Sequence, residues 1–197
     1  WLWSKELSFG YFSKPPLLAW LISLVTFVFG NSFAVLKSIP IFIYCITSYL
    51  IFTFTKKLFN DTELAFSCAL TFFLLPSVTL SSFLISTDIL LILLWTAGLI
   101  QILKIRENPS YSNFVVLGLL LGLAFLAKYA AIYFFISLVV LLFFDSRLRS
   151  VLYANKSKFI IFLITIFIVV LPNIIWNVSN GWLTLVHTSD NANLNNI

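Results

Sequence analysis

The sequence predicts an all-α protein: a polytopic bundle of transmembrane helices with an interfacial helix on its extracytoplasmic side. Composition and segment length carry this prediction. Of 197 residues, 61% are hydrophobic and 10% charged, where soluble domains carry about 25% charged residues. Such a chain lacks the polar surface to cover itself in water. Its apolar residues also fall into runs near the length, about 20 residues, that crosses about 30 Å of hydrocarbon. With 22 Phe residues and a mean hydropathy of +1.06, most of the surface is expected to face lipid.

Taken in order, residues 1–33 read as an extracytoplasmic loop. Within it, Pro15-Pro16 leads the 13-residue stretch 17–29, whose length suits an interfacial or re-entrant helix better than a crossing. Spans are expected over 34–55, 64–83, 86–103 and 159–176. The long stretch 113–144 contains Lys128, and loop charge decides its reading. Basic residues gather in cytoplasmic loops, and the clusters are Lys56/Lys57, Lys104/Arg106 and Arg147/Arg149/Lys156/Lys158. All three share one side only if 113–127 and 129–144 are two short helices turning near Lys128. Residues 177–197 then form an extracytoplasmic tail, in which Asn177-Val178-Ser179 gives a weak match to the N-glycosylation pattern. Cys45 and Cys68 lie in apolar runs without metal or redox spacing and read as buried free thiols. The chain begins at Trp1 and holds no Met, which suggests a partial chain.

Ionisable groups at membrane depth cost about 2.5–3.5 kcal/mol on insertion scales, so each needs a reason. Asp88 opens the span 86–103 within Ser86-Thr87-Asp88. Either it sits in a capped first turn favoured by the helix dipole, or its carboxylate orients an acceptor or a lysine in an outward cavity. Lys128 either snorkels to the interface or waits in a cavity for an anion, with phosphate the natural guest of a compact point charge. Lys14 precedes Pro15-Pro16 within an aromatic segment (Trp1, Trp3, Phe9, Tyr11, Phe12). That segment reads as an interfacial belt or as a surface for a sugar ring and a phosphate. Lys37 and His187 are weaker candidates, and Gly118 with Gly122 forms a GxxxG step suited to close helix packing. No metal-ligand cluster, phosphate-binding glycine loop, nucleophile elbow or basic nucleic-acid patch occurs. No metal, cofactor or nucleic-acid partner is expected.

These residues resemble a family. WLWSKELSFGYFSKPPLLAWL is similar to the first extracytoplasmic loop of GT-C glycosyltransferases, the polytopic enzymes related to protein O-mannosyltransferases and lipid A aminoarabinose transferases. Lys37, the STDILL segment with Asp88, GLAFLAKYAA with Lys128, and PNIIWNVSNGWLTLVH follow in matching order, so the resemblance covers essentially the whole chain. It implies inverting transfer of a sugar from a polyprenyl-phosphate carrier to a lipid A, glycan or protein acceptor. Transfer would occur at the outer face of a bacterial plasma membrane. Lys14 and Lys128 would bind the donor phosphate and Asp88 would organise the acceptor or the lysines. Tyr11, Lys37 and His187 would be possible substrate contacts. In the family an Asp-Glu pair preceding this segment supplies the presumed base. Here that pair falls before Trp1, so the chain alone is expected to be inactive. A transporter or flippase is the main alternative, although such proteins show paired halves and no internal repeat is visible. A non-catalytic membrane subunit is the other.

Overall fold

The computed structural model describes residues 1–191; part of the expected tail, 192–197, lies outside the described residues. Among the described residues every regular element is helical, as the sequence predicts. After a 3-10 turn at Leu2–Lys5, α1 (Leu17–Phe29) starts behind the two prolines and ends where Gly30 takes φ +85°. Next, α2 (Phe33–Phe59) is capped by Ser32, runs unbroken through Pro40, and stops at left-handed Asn60. The stretch 64–83, expected as one span, is broken. α3 (Thr62–Leu74), capped by Asp61, ends where Leu75 is extended, and α4 (Pro76–Ser81) restarts with proline in its first turn. Pro76 lacks the N–H that would continue α3, and its ring disfavours a helical Leu75.

Then α5 (Thr87–Glu107) and α6 (Tyr111–Ala127) follow, the second ending against an extended Lys128. A 3-10 turn, Tyr129–Ala131, leads into α7 (Ile132–Phe144), and α8 (Ser146–Ala154) turns from it by 105°. The chain closes with α9 (Lys156–Ser179) and α10 (Leu183–Asn191). By length and composition α2, α5 and α9 are each sufficient to cross a bilayer, whereas α1, α3 and α6 are apolar but shorter.

The bundle is organised around α5, which packs between α2 and α6, while α3 lies on α2 and α9 on α6. One core cluster joins Ile43, Tyr44, Ile89, Leu90, Ala124 and Ala127 near the start of α5. A second joins Ile105, Phe114, Leu121, Phe134 and Phe162 near its end. The GxxxG step makes the α6–α9 seam. A Cβ on Gly118 would stand 2.8 Å from the Phe162 carbonyl oxygen, and one on Gly122 would stand 2.7 Å from Val169 Cβ.

Outside the core, burial is inverted relative to a soluble protein. Strongly apolar α9 is only 17% buried across its span, and Phe27, Phe143 and Phe144 are 88%, 75% and 84% exposed. Exposed apolar surface on this scale is what a lipid-facing bundle presents. The two cysteines follow the same rule. Cys45 is exposed and Cys68 half-exposed, both as free thiols, so each sits on the outward face of its helix and not, as its apolar run predicts, in the core.

Candidate functional site

The start of α5 and the 127–131 break meet at one end of the bundle. Ser86 holds the N-cap position of α5, yet its side chain makes no capping bond. Asp88, one residue inside the helix, instead accepts a hydrogen bond from Lys128 Nζ at 2.5 Å. Lys128 reaches it because the chain turns extended there (φ −159°, ψ 134°) before re-entering a helical turn. The side chains of Lys128 and Asp88 remain 34% and 51% exposed. Exposed ion pairs contribute about 0–1 kcal/mol, so fold stability alone is a weak reason for placing two charges here.

Beside Asp88 opens a cavity of about 420 Å³. Trp1, Trp3 and Lys14 line it from the N-terminal loop, Leu18 and Ile22 from α1, and Ser86 to Asp88 from the start of α5. The structure thus brings Lys14 and Asp88 onto one cavity, and Lys128 joins them through Asp88. The arrangement offers cations, one partly neutralised by a carboxylate, beside indole walls. An anion with an attached ring could occupy such a space.

The three weaker candidates lie elsewhere. Lys37 donates to the Phe83 carbonyl at 2.6 Å and lies over the Phe33 ring, strapping α2 to the segment after α4. His187, on α10, packs against Phe12 with ring centroids 4.8 Å apart. Tyr11 is buried and stacks on Trp3; its hydroxyl donates towards the Trp3 and Glu6 carbonyls and accepts from the Ser8 N–H. Tyr11 therefore shapes the loop from within and holds one cavity wall, Trp3, in place.

A second polar group at this end was not singled out from the sequence. Asn173 and Asn177, one turn apart on α9, are each 2% exposed. Asn173 Nδ2 donates to the Phe9 carbonyl at 2.6 Å, and its Oδ1 accepts from the Tyr129 hydroxyl at 3.1 Å. Asn177 Nδ2 donates to the Tyr129 oxygen at 3.2 Å. Thr184 donates to the Tyr11 carbonyl at 2.6 Å, and Gly10 lies so close to Trp176 that any Cβ would collide with the indole. One polar network thus fixes both the N-terminal loop and the residue following Lys128. The available signal was two amides at i, i+4 in an otherwise apolar span, a costly pattern that marks a shared buried face. Burial also takes Asn177 out of reach as a glycosylation acceptor.

Fold and site together define an integral membrane protein with a cationic, aromatic-walled cavity at one end of its helix bundle. The chain belongs to the dolichyl-phosphate-mannose-protein mannosyltransferase family, whose profile matches residues 13–176; the GT-C resemblance read from the sequence is thereby shown. It is also 32% identical over 193 residues to the lipid A galacturonosyltransferase RgtD of Rhizobium johnstonii. That alignment takes in 98% of this chain and 40% of the relative's length. No solved structure matches the chain.

Proposed function

We propose that this chain forms the donor-binding part of a membrane glycosyltransferase that takes a sugar from a polyprenyl-phosphate carrier. The observation that carries the reading is the shared cavity. Lys14 and Asp88 line it, Asp88 holds Lys128, and indoles wall it. A donor phosphodiester would lie against Lys14 and Lys128, its sugar against Trp1 or Trp3. In an inverting transfer the acceptor hydroxyl oxygen attacks C1 from the face opposite the phosphate, and its proton passes to a base that none of Lys14, Asp88 and Lys128 supplies. The C1–O bond breaks, and the phosphate leaves with one negative charge more than it had in the donor. Cations already in place favour the state in which that charge develops. Asp88 aims Lys128 and limits the repulsion between the two lysines. Being committed to Lys128, it is assigned no proton transfer, so residues 1–197 alone would bind the donor without turning it over.

The relative's action on lipid A favours a lipid acceptor, ahead of a glycan or a protein. The bacterial source of the relative favours the plasma membrane of a bacterium, and the loop charges favour a cavity facing outward. In that topology 34–55, 64–83, 86–103, 113–127, 129–144 and 159–176 cross, with 1–33 and 177–197 outside. The broken 64–83 stretch crosses as α3 with α4.

The test uses the full-length protein and a polyprenyl-phosphate-linked sugar. Lys128→Ala is expected to lower turnover by roughly 10²–10³-fold, the scale of losing one preorganised charge-stabilising donor, while membrane insertion is retained. Unchanged turnover would remove Lys128 from the site and the reading with it. Labelling checks the topology, with Cys45 and Cys68 first replaced by Ser. Single cysteines at Asp88 and Lys57 should react with impermeant thiol reagents from opposite faces; reaction from one face would break the topology.

A further inference from the structure

The other end of the bundle holds a second cavity, of about 490 Å³, between the end of α7, α8 and the first turns of α9. Nothing in the glycosyl-transfer reading uses it. Its walls are apolar, with Val139 and Leu142 from α7, Leu152 from α8 and Ile160 from α9. Two cations, Arg149 and Lys156, stand on it without a lining acid.

The local sequence explains the shape. Asp145 caps α8 by accepting from the Leu148 N–H at 2.9 Å, and α8 leaves α7 at 105° with only Leu148 buried. The helix therefore lies across the bundle end instead of continuing through it. Arg149 Nη1 donates to the Leu142 and Phe143 carbonyls at 3.1 and 3.4 Å, which fixes the guanidinium over the end of α7. Among the described residues its other nitrogens have no hydrogen-bond partner, and Lys156 has neither hydrogen bond nor ion pair. Asp145, at the start of α8, is already engaged by Arg106 at 3.2 Å.

We propose that this groove binds an acidic glycerophospholipid, with its phosphate between Arg149 and Lys156 and its acyl chains along Val139 and Ile160. Those two side chains are 55% and 54% exposed, so the groove opens sideways onto the lipid-facing surface. Cations at one rim of a hydrocarbon-lined groove match an amphiphile. A soluble anion would satisfy the rim and leave the groove unused. Basic pockets between transmembrane helices bind anionic headgroups on this principle. The inference rests on the bundle lying in a bilayer and not on the proposed sugar transfer, so either can fail alone.

The experiment is native mass spectrometry of the full-length protein in detergent, titrated with phosphatidylglycerol or phosphatidylcholine of the same acyl chains. Phosphatidylglycerol should be retained roughly thirtyfold better, the size expected of two juxtamembrane cations. Arg149→Gln with Lys156→Gln should abolish that preference, whereas Lys57→Gln should leave it intact. Val139→Trp fills the groove and keeps both cations, so it should lower retention of both lipids; it serves as the second test if the double variant does not fold. Equal retention of the two lipids by the wild-type protein would overturn the proposal. So would a preference that survives the double variant, or displacement of phosphatidylglycerol by inorganic phosphate.

Discussion

The two ends of this bundle carry the same kinds of charge and arrange them differently. At the Glu107 end, Lys57 meets Glu107 at 2.5 Å and Arg106 lies 3.2 Å from Asp145, while Lys158 donates to the Pro109 carbonyl and to Asn155. Each of these contacts ties one helix terminus to another. At the Lys128 end the ion pair faces a cavity, and buried neutral amides do the tying. Neutral amides hold backbone in place without adding a field, whereas a second salt bridge there would compete for Lys128. Charges that only join helices, such as Lys57, Arg106 and Lys158, can be committed to that contact. Charges that are to receive an anion stay available, as do those at the Lys128 end for the donor and Arg149 and Lys156 in the α7–α9 groove.

The comparison breaks most readily at its largest expected effect. Lys128→Ala should lower turnover of the full-length protein by orders of magnitude and barely move its unfolding temperature. Lys57→Ala should alter neither. Equal loss from the two would show that both lysines act through structure alone. Asn173→Leu comes next, because it deprives the Phe9 carbonyl and the Tyr129 hydroxyl of a partner at once. Orphaning buried polar groups costs about 1–3 kcal/mol. The loop carrying Lys14 and the turn after Lys128 should loosen together, lowering thermal stability and donor affinity in parallel. A loss of stability with donor affinity unchanged would separate the amide network from the site.

Much of this arrangement is legible in the sequence, and the illegible parts have physical reasons. Helical class and a lipid environment follow from composition and run length, which need no tertiary information. Asp88 and Lys128 stand out because charges are rare in such runs, and their cost announces them. Asp88 reads as a partner for a lysine, but which lysine it holds is not written locally, because the contact joins α5 to the 127–131 break across 40 positions. Asn173 escapes notice for the opposite reason, and Asn177 is noticed only within a glycosylation pattern. Amides carry no charge, and only the packing of Gly10 on Trp176 brings the Phe9 carbonyl within reach of Asn173. The break at Pro76 was readable from proline's missing donor, although mean apolarity concealed it by averaging across the kink. Tyr11 shows a further limit: its residue type suits a substrate contact, while its position makes it an internal prop.

The seam between α6 and α9 lies between the two ends and should answer to neither. A Cβ on Gly118 would meet the Phe162 carbonyl at 2.8 Å and Thr165 Cβ at 2.7 Å, and a backbone carbonyl cannot rotate aside. Gly118→Val should therefore destabilise the protein by about 1–3 kcal/mol, the usual scale of overpacking, with donor affinity per folded molecule preserved. Altered affinity in the folded fraction would mean that the seam transmits to Lys128 through α6.

The smallest expected effect tests the other end most sharply. Lys57 and Glu107 form a short pair, but their side chains are 29% and 56% exposed, and α2 and α5 already pack in the core that holds Ile43, Tyr44, Leu90 and Leu94. Exposed pairs gain little over hydration and are screened by salt. Lys57→Gln should leave the unfolding temperature within measurement error, and added salt should shift wild type and variant alike. A clear drop confined to low salt would show that the pair clamps α2 to α5. The ends would then differ in whether charge is used for joining, and not only in how their charges are shared.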